Sequence, residues 1–103
     1  MENLGKILKH IRVFNHLKQA EIANELDLTR SYISAIENNI KIPSMDTLKK
    51  YSDSFDIPLS AIMLFAENYS EKIEFSNGVE QLKDKLKKGT TDTAIKFLDW
   101  ICK

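Results

Sequence analysis

Polar side chains cluster at the start of a short segment of helical spacing, about a third of the way along the chain. Arg30, Ser31 and Tyr32 come first, and Ser34 follows one helical turn later. Their guanidinium and hydroxyl groups are hydrogen-bonding groups, and no neighbouring base or metal ligand accompanies them. Ile33 belongs to the opposite, apolar side of the same helix. The chemistry that this segment indicates is recognition by hydrogen bonds.

The remainder of the sequence offers no arrangement typical of catalysis or metal binding. His10 and His16 are isolated, and the single cysteine, Cys102, can form no internal disulfide and belongs to no Cys/His cluster with metal-ligand spacing. We find no Ser/His/Asp arrangement, no paired catalytic carboxylates and no phosphate-binding glycine loop. We therefore expect no enzymatic activity, no metal and no cofactor.

Composition places the chain among ordinary globular proteins of one small domain with an appendage. The 103 residues are 43% hydrophobic and 29% charged, with 15 basic and 15 acidic side chains. No apolar run approaches the length of a membrane span, and the N-terminus lacks the pattern of a secretory signal, so we expect a cytoplasmic protein. Because the net charge is zero, binding to a polyanion would depend on a few well-placed contacts.

Apolar spacing is helical along nearly the whole chain and predicts an all-α fold. Five helices are predicted over about residues 3–13, 19–26, 30–38, 45–55 and 59–66, with Thr29 and Ser44 as N-caps of the third and fourth. A connector with a short extended piece around Ile73 and Phe75 follows. Two further helices, over about 79–88 and 92–101, complete the pattern.

The second and third predicted helices, within residues 19–37, are joined by a tight turn. Two short helices so arranged present the exposed face of the second one outward. Such a helix fits the major groove of duplex DNA, with its N-terminal residues nearest the base edges. Arg30, Ser31 and Tyr32 occupy those positions, and Ser34 follows one turn later.

Residues 4–66 resemble the lambdoid repressor and Cro-like (XRE-type) helix-turn-helix family. The resemblance rests on Arg12, on Gln19 and Ala23 in the second helix, and on the stretch SYISAIENN followed by Pro43-Ser44, all at the family's spacing without a gap. It implies a five-helix DNA-binding domain over residues 1–67. Residues 68–103 would then be a connector and a C-terminal helical pair.

The resemblance also implies roles for individual residues. It assigns base reading to Arg30, Ser31 and Ser34, since Arg can bind guanine O6 and N7 and Ser several base-edge groups. It assigns contacts with the DNA backbone, which set register without reading sequence, to a second group: Arg12, Gln19, Tyr32, Asn38 and Lys41. Arg12 and Glu37 match a structural ion pair that would fix the third helix.

Several positions depart from the family pattern. His16, Asp27 and Asn39 stand at turns where glycine is common, and each of these residue types tolerates a left-handed backbone at some cost. Lys18 replaces a capping residue at the start of the second helix. Ala35 stands where some members read a base with a longer side chain, which leaves the preferred DNA sequence open.

The C-terminal residues carry more apolar surface than two short helices can bury against each other. The two C-terminal helices are expected to pack either on the N-terminal domain or on a second chain. We favour the second arrangement, a dimerisation element made of Leu82, Leu86, Phe97, Leu98, Trp100 and Ile101. We therefore expect a DNA-binding transcriptional regulator, a repressor that binds an inverted-repeat operator as a homodimer. The alternative is an antitoxin or antagonist-controlled regulator whose C-terminal helices bind a partner protein.

Overall fold

A computed structural model describes residues 3–69 and 90–101 of the chain. These ranges contain six helices and no strand: α1 (Leu4–Phe14), α2 (Gln19–Glu25), α3 (Arg30–Glu37), α4 (Met45–Phe55), α5 (Leu59–Asn68) and α6 (Asp92–Ile101). The predicted all-α class is confirmed, and these six helices begin and end within two residues of their predicted limits. The predicted helix over 79–88 and the extended piece around Ile73 and Phe75 lie outside the described residues. None of the described helices is long and apolar enough to cross a membrane.

Side-chain caps fix where α3 and α4 begin. The Thr29 hydroxyl accepts from the Tyr32 amide at 3.1 Å, and the Ser44 hydroxyl accepts from the Thr47 amide at 3.2 Å. Lys18 offers no such acceptor to α2. Instead, the Glu21 carboxylate accepts from the Lys18 backbone amide at 2.8 Å, which is half of a capping box.

The first three helices end in the same backbone motif without glycine. His16, Asp27 and Asn39 have φ of 59°, 56° and 59°, as their positions in the sequence predicted. At the end of α3 the Asn39 amide donates to the Ile36 carbonyl at 3.2 Å and the Ile40 amide to the Ala35 carbonyl at 2.8 Å. This pair of bonds is a Schellman motif, which satisfies carbonyls that the helix end leaves free. A fourth left-handed residue, Asp56 (φ 55°), was not predicted.

The core forms around α1, which packs against α3, α5 and α6. Ile7, Leu8 and Ile11 are fully buried, as the i, i+3, i+4 spacing of α1 predicts. α2 and α3 pack against each other, and Ile22, Ile33 and other members of both helices join the same core. The polar face of α3 is therefore held at a fixed angle to α1.

The last helix belongs to this core. Phe97 and Leu98 are fully buried and Ile101 nearly so, and the Phe97 ring lies 5.4 Å from those of Phe14 in α1 and Phe65 in α5. Trp100 is half-buried, with its ring 5.3 Å from that of Phe14. These side chains therefore do not have the arrangement predicted for a dimer contact: Phe97, Leu98 and Ile101 offer no surface to a second chain, because their own chain covers them. Leu82 and Leu86 lie outside the described residues.

Hydrogen bonds fasten the start of α6 to the turn between α4 and α5. The Thr91 hydroxyl donates to the Asp56 carbonyl at 2.6 Å and accepts from the Ala94 amide at 3.1 Å, so Thr91 is the N-cap of α6. The Thr93 hydroxyl donates to the Asp56 carboxylate at 3.2 Å. With this left-handed backbone, Asp56 directs its carbonyl oxygen and its carboxylate Oδ2 towards α6.

Gly5 allows α1 and α3 to approach closely. A β-carbon placed on Gly5 would lie 2.0 Å from the Ile36 carbonyl oxygen and 2.8 Å from the side-chain oxygen of Asn39. The first distance involves backbone at the end of α3, which cannot rotate away as a side chain can. Glycine is required here by space, since the residue is helical and its conformation ordinary.

We predict that Gly5→Ala lowers the free energy of unfolding by about 1–3 kcal/mol, because the two helix ends must separate to admit a methyl group. Urea denaturation followed by circular dichroism measures the change. Lys9→Ala, at an exposed position of the same helix, serves as the control and should stay within about 0.5 kcal/mol of wild type. If the Gly5 variant and wild type have the same free energy of unfolding, then α1 and α3 do not approach each other this closely at Gly5.

Candidate nucleic-acid interface

α3 separates its apolar and polar side chains cleanly. Ile33 and Ile36 are fully buried, whereas Arg30 and Ser31 are exposed and Ser34 is half-exposed. The three polar residues named as base readers from the sequence line one shallow concavity of about 290 Å³, together with Ala35 and Ile40. α3 therefore presents the guanidinium of Arg30 and the hydroxyls of Ser31 and Ser34 to solvent on a single face.

The Arg12–Glu37 ion pair predicted from the sequence is present with bidentate geometry. Arg12 Nε donates to Glu37 Oε2 at 2.8 Å, and Arg12 Nη2 donates to Glu37 Oε1 at 3.0 Å. The side chains are 13% and 2% exposed, respectively. Planar, paired hydrogen bonds of this kind fix direction as well as distance, which a lysine could not do.

The same carboxylate also organises the start of α2. Gln19 Nε2 donates to Glu37 Oε1 at 3.1 Å, and Arg12 Nη1 donates to the Leu17 carbonyl at 2.9 Å in the turn between α1 and α2. Glu37 therefore joins side chains from α1, α2 and α3. Arg12 uses much of its donor capacity inside the protein, so any phosphate contact falls to the remaining N–H groups.

Tyr32 attaches the exposed side of α3 to the start of α4. Its hydroxyl shares a 3.0 Å hydrogen bond with the Thr47 hydroxyl and accepts a longer one, 3.4 Å, from the Ser44 amide. Thr47 also shares a 3.0 Å bond with the Ser44 hydroxyl. Burial opposes ionisation of Tyr32, but these hydrogen bonds and the positive charge of Lys41 together hold its pKa below the ordinary value.

Asn38 and Lys41, both assigned to the DNA backbone, lie exposed beyond the end of α3. The Asn38 amide donates back to the Ser34 carbonyl at 2.9 Å and to the Ser34 hydroxyl oxygen at 3.3 Å. The Ser34 oxygen accepts from Asn38, which leaves the Ser34 hydroxyl proton available to donate to another group. A phosphate contact by Asn38 would have to replace these bonds.

Two residues of this site carried no signal that singled them out in the sequence. Thr47 is buried and orients Tyr32, although a threonine inside a helix ordinarily attracts no attention. Tyr51 is fully buried, and its hydroxyl has no hydrogen-bond partner among the described residues. Burial, and after it the negative charge of Glu37, hold the pKa of Tyr51 well above its ordinary value, so the hydroxyl stays neutral.

Among the residues that the structure describes, no three His, Cys, Asp or Glu side chains are grouped to hold a metal ion. The site consists of hydrogen-bond donors on the exposed side of α3, and the buried Glu37 carboxylate holds the end of that helix in place. It is suited to binding a surface that displays hydrogen-bond acceptors.

Comparison with known proteins agrees with this geometry. The family model of the helix-turn-helix domain matches residues 5–68. This chain belongs to the XRE-type helix-turn-helix family. It is 35% identical over 63 residues to the ImmF control region 10 kDa protein of Bacillus phage phi105, an alignment that covers 61% of this chain and 70% of that protein.

A second relative extends the similarity further along the chain. The Immunity repressor protein of Bacillus phage phi105 is 30% identical over 94 residues, which are 82% of this chain and 65% of the relative. No solved structure matches this chain at a significant level. The family is a DNA-binding and non-enzymatic one, so the helix-turn-helix domain over residues 5–68 is a DNA-binding domain.

We predict that Glu37→Ala lowers the free energy of unfolding by about 3–5 kcal/mol, because it leaves the Arg12 guanidinium buried without its carboxylate. Thermal and urea melts measure the loss. Asp46→Ala is the matched control: its carboxylate is 83% exposed and lies 4.0 Å from Lys50, so its removal should cost less than about 1 kcal/mol. An unchanged melting temperature for Glu37→Ala would contradict the structural role of the pair.

Proposed function

We propose that this protein is a transcriptional repressor that reads a specific duplex sequence with α3 and occupies an inverted-repeat operator as a homodimer. The observation that carries the proposal is the exposure of Arg30, Ser31 and Ser34 on one face of a helix that is fixed along its length. Tyr32 attaches that helix to α4, and Glu37 attaches its end to α1 and α2. Because the helix backbone is held in this way, it loses little conformational freedom on binding.

Arg30 is the residue we assign to base reading first. It is exposed and lies at the N-terminus of α3, the part of such a helix that reaches deepest into the major groove. Its planar fork matches guanine O6 and N7. Ser31 and Ser34 lie beside it and supply hydroxyl donors to acceptors on the same or the next base pair.

Contacts with phosphate would flank this face. Gln19 opens α2, where its amide is anchored by Glu37 and keeps a second N–H free to donate. Lys41 lies exposed past the end of α3. Both would set the register of α3 on the duplex without reading its sequence.

Repression is supported by the name of one relative, the Immunity repressor protein of Bacillus phage phi105. Pairing of two copies is argued from symmetry, because an operator of two half-sites a helical turn apart requires two recognition helices. Phe97, Leu98 and Ile101 are already buried in their own chain, so two chains folded in this way would pair through other surfaces.

Nothing in the described residues favours the alternative of a tail that captures a partner protein. Such a tail would present apolar side chains in the single chain, but the large exposed hydrophobic residues of the described ranges, Val13, Ile40, Ile42 and Met45, all precede α5. The described part of the tail turns its own apolar face to the core.

We predict that selection from a random duplex library enriches an inverted repeat with wild type, and that Arg30→Ala loses preference at one base pair of each half-site. Its affinity for the wild-type sequence should fall by about 1–3 kcal/mol. Lys41→Ala is the control, because loss of a phosphate contact weakens binding to all sequences alike and lowers the salt dependence. Failure of wild type to enrich any sequence would overturn the proposed function.

A further inference from the structure

α5 and α6 run in the same direction along the core. α5 begins soon after Asp56, whose carbonyl accepts a hydrogen bond from Thr91 at the start of α6 at 2.6 Å. At the other end, the His10 ring lies 5.5 Å from that of Tyr69, which follows α5, and 6.3 Å from that of Trp100 in the last turn of α6. Both helices therefore start at the α4–α5 turn and end beside His10.

This parallel arrangement requires the chain to return along the length of α6 between the two described ranges. α6 has 10 residues and is about 15 Å long. The connection, residues 70–89, has 20 residues, and at about 3.3 Å per residue a chain of that length reaches up to about 66 Å. It is therefore long enough to bring α6 to the core of a second copy as well as to its own.

The contacts of α6 are ones that any copy of this chain can supply. Phe97 and Leu98 are fully buried, and the Phe97 ring lies 5.4 Å from the rings of Phe14 and Phe65. Both aromatic partners belong to the first described range, before the connection. An exchange of α6 between two copies would keep these contacts, which is why exchange of an identical element is a low-cost route to a dimer.

The described surface offers a second copy little other apolar area. The large hydrophobic side chains that are exposed in the described residues are Val13, Ile40, Ile42 and Met45. The last three lie in the loop after α3 or at the start of α4, beside the face that the proposed function assigns to DNA. Val13 alone does not make the apolar interface that a stable homodimer requires.

We propose that the protein forms its homodimer by exchanging α6, so that α6 of each copy packs against α1 and α5 of the other. This inference rests on the proposed function for its need of two copies, since an inverted-repeat operator requires paired recognition helices. The exchange gives each copy the same core as the single chain and makes that core the interface. The faces that meet DNA stay free.

The test uses wild-type protein without substitutions. Equal amounts of isotope-labelled and unlabelled chains are unfolded and refolded together, and an isotope-filtered NOE spectrum then shows only contacts between a labelled and an unlabelled chain. Light scattering on the same sample gives the number of copies. We expect a dimer, with filtered NOEs from the Phe97 ring to the rings of Phe14 and Phe65. A fully labelled sample is the control and should give none of these signals.

The outcomes separate the exchange from the proposed function. A dimer in which all Phe97 contacts lie within one chain would overturn the inference and leave the proposed homodimer in place. A monomer at the concentration of the NMR sample would overturn the exchange, whereas selection from the duplex library tests sequence-specific binding independently. If no duplex is enriched but the filtered NOEs are present, the proposed function fails and the exchange stands.

Discussion

A single carboxylate, that of Glu37, accepts hydrogen bonds from Arg12 of α1 and Gln19 of α2 at the end of α3. Burying such an ion pair brings little net stability, because desolvation of both charges offsets their attraction. The ion pair matters for geometry. Together with the hydrogen bond from Arg12 to the Leu17 carbonyl, it fixes the orientation of α3 relative to α1 and α2. Every contact proposed for Arg30 and Ser31 depends on that orientation.

Binding by this domain has to rely on placement, because the chain has no excess of positive charge. We therefore expect few phosphate contacts, and a smaller electrostatic contribution to binding than in strongly basic DNA-binding proteins. Under the proposed function, discrimination between base pairs would depend on the donors that α3 holds in place. The attachment of Tyr32 to Thr47 and Ser44 serves this purpose as well, since it holds the outer side of α3 against α4.

Most of the fold could be predicted from the sequence, since six helices and the left-handed residues His16, Asp27 and Asn39 follow from spacing and residue type. The Arg12–Glu37 pair was implied by family resemblance, because no local pattern links residues so far apart. What could not be predicted depends on how helices meet in space. Gly5 faces the backbone of α3, and Asp56 turns its oxygens to α6. The placement of Phe97 in the core is of the same kind, because its apolar spacing fits this core and a second chain equally well.

We propose that the outer face of α3 and the loop after it contact DNA while α6 remains packed in the core. Two-dimensional amide NMR spectra of the labelled protein, recorded with and without the enriched duplex, test it most directly. We expect the largest shifts on residues 18–20, 29–35 and 38–44, and nearly unchanged signals for residues 94–101. Shifts concentrated on α5 and α6, with residues 29–35 unaffected, would contradict it.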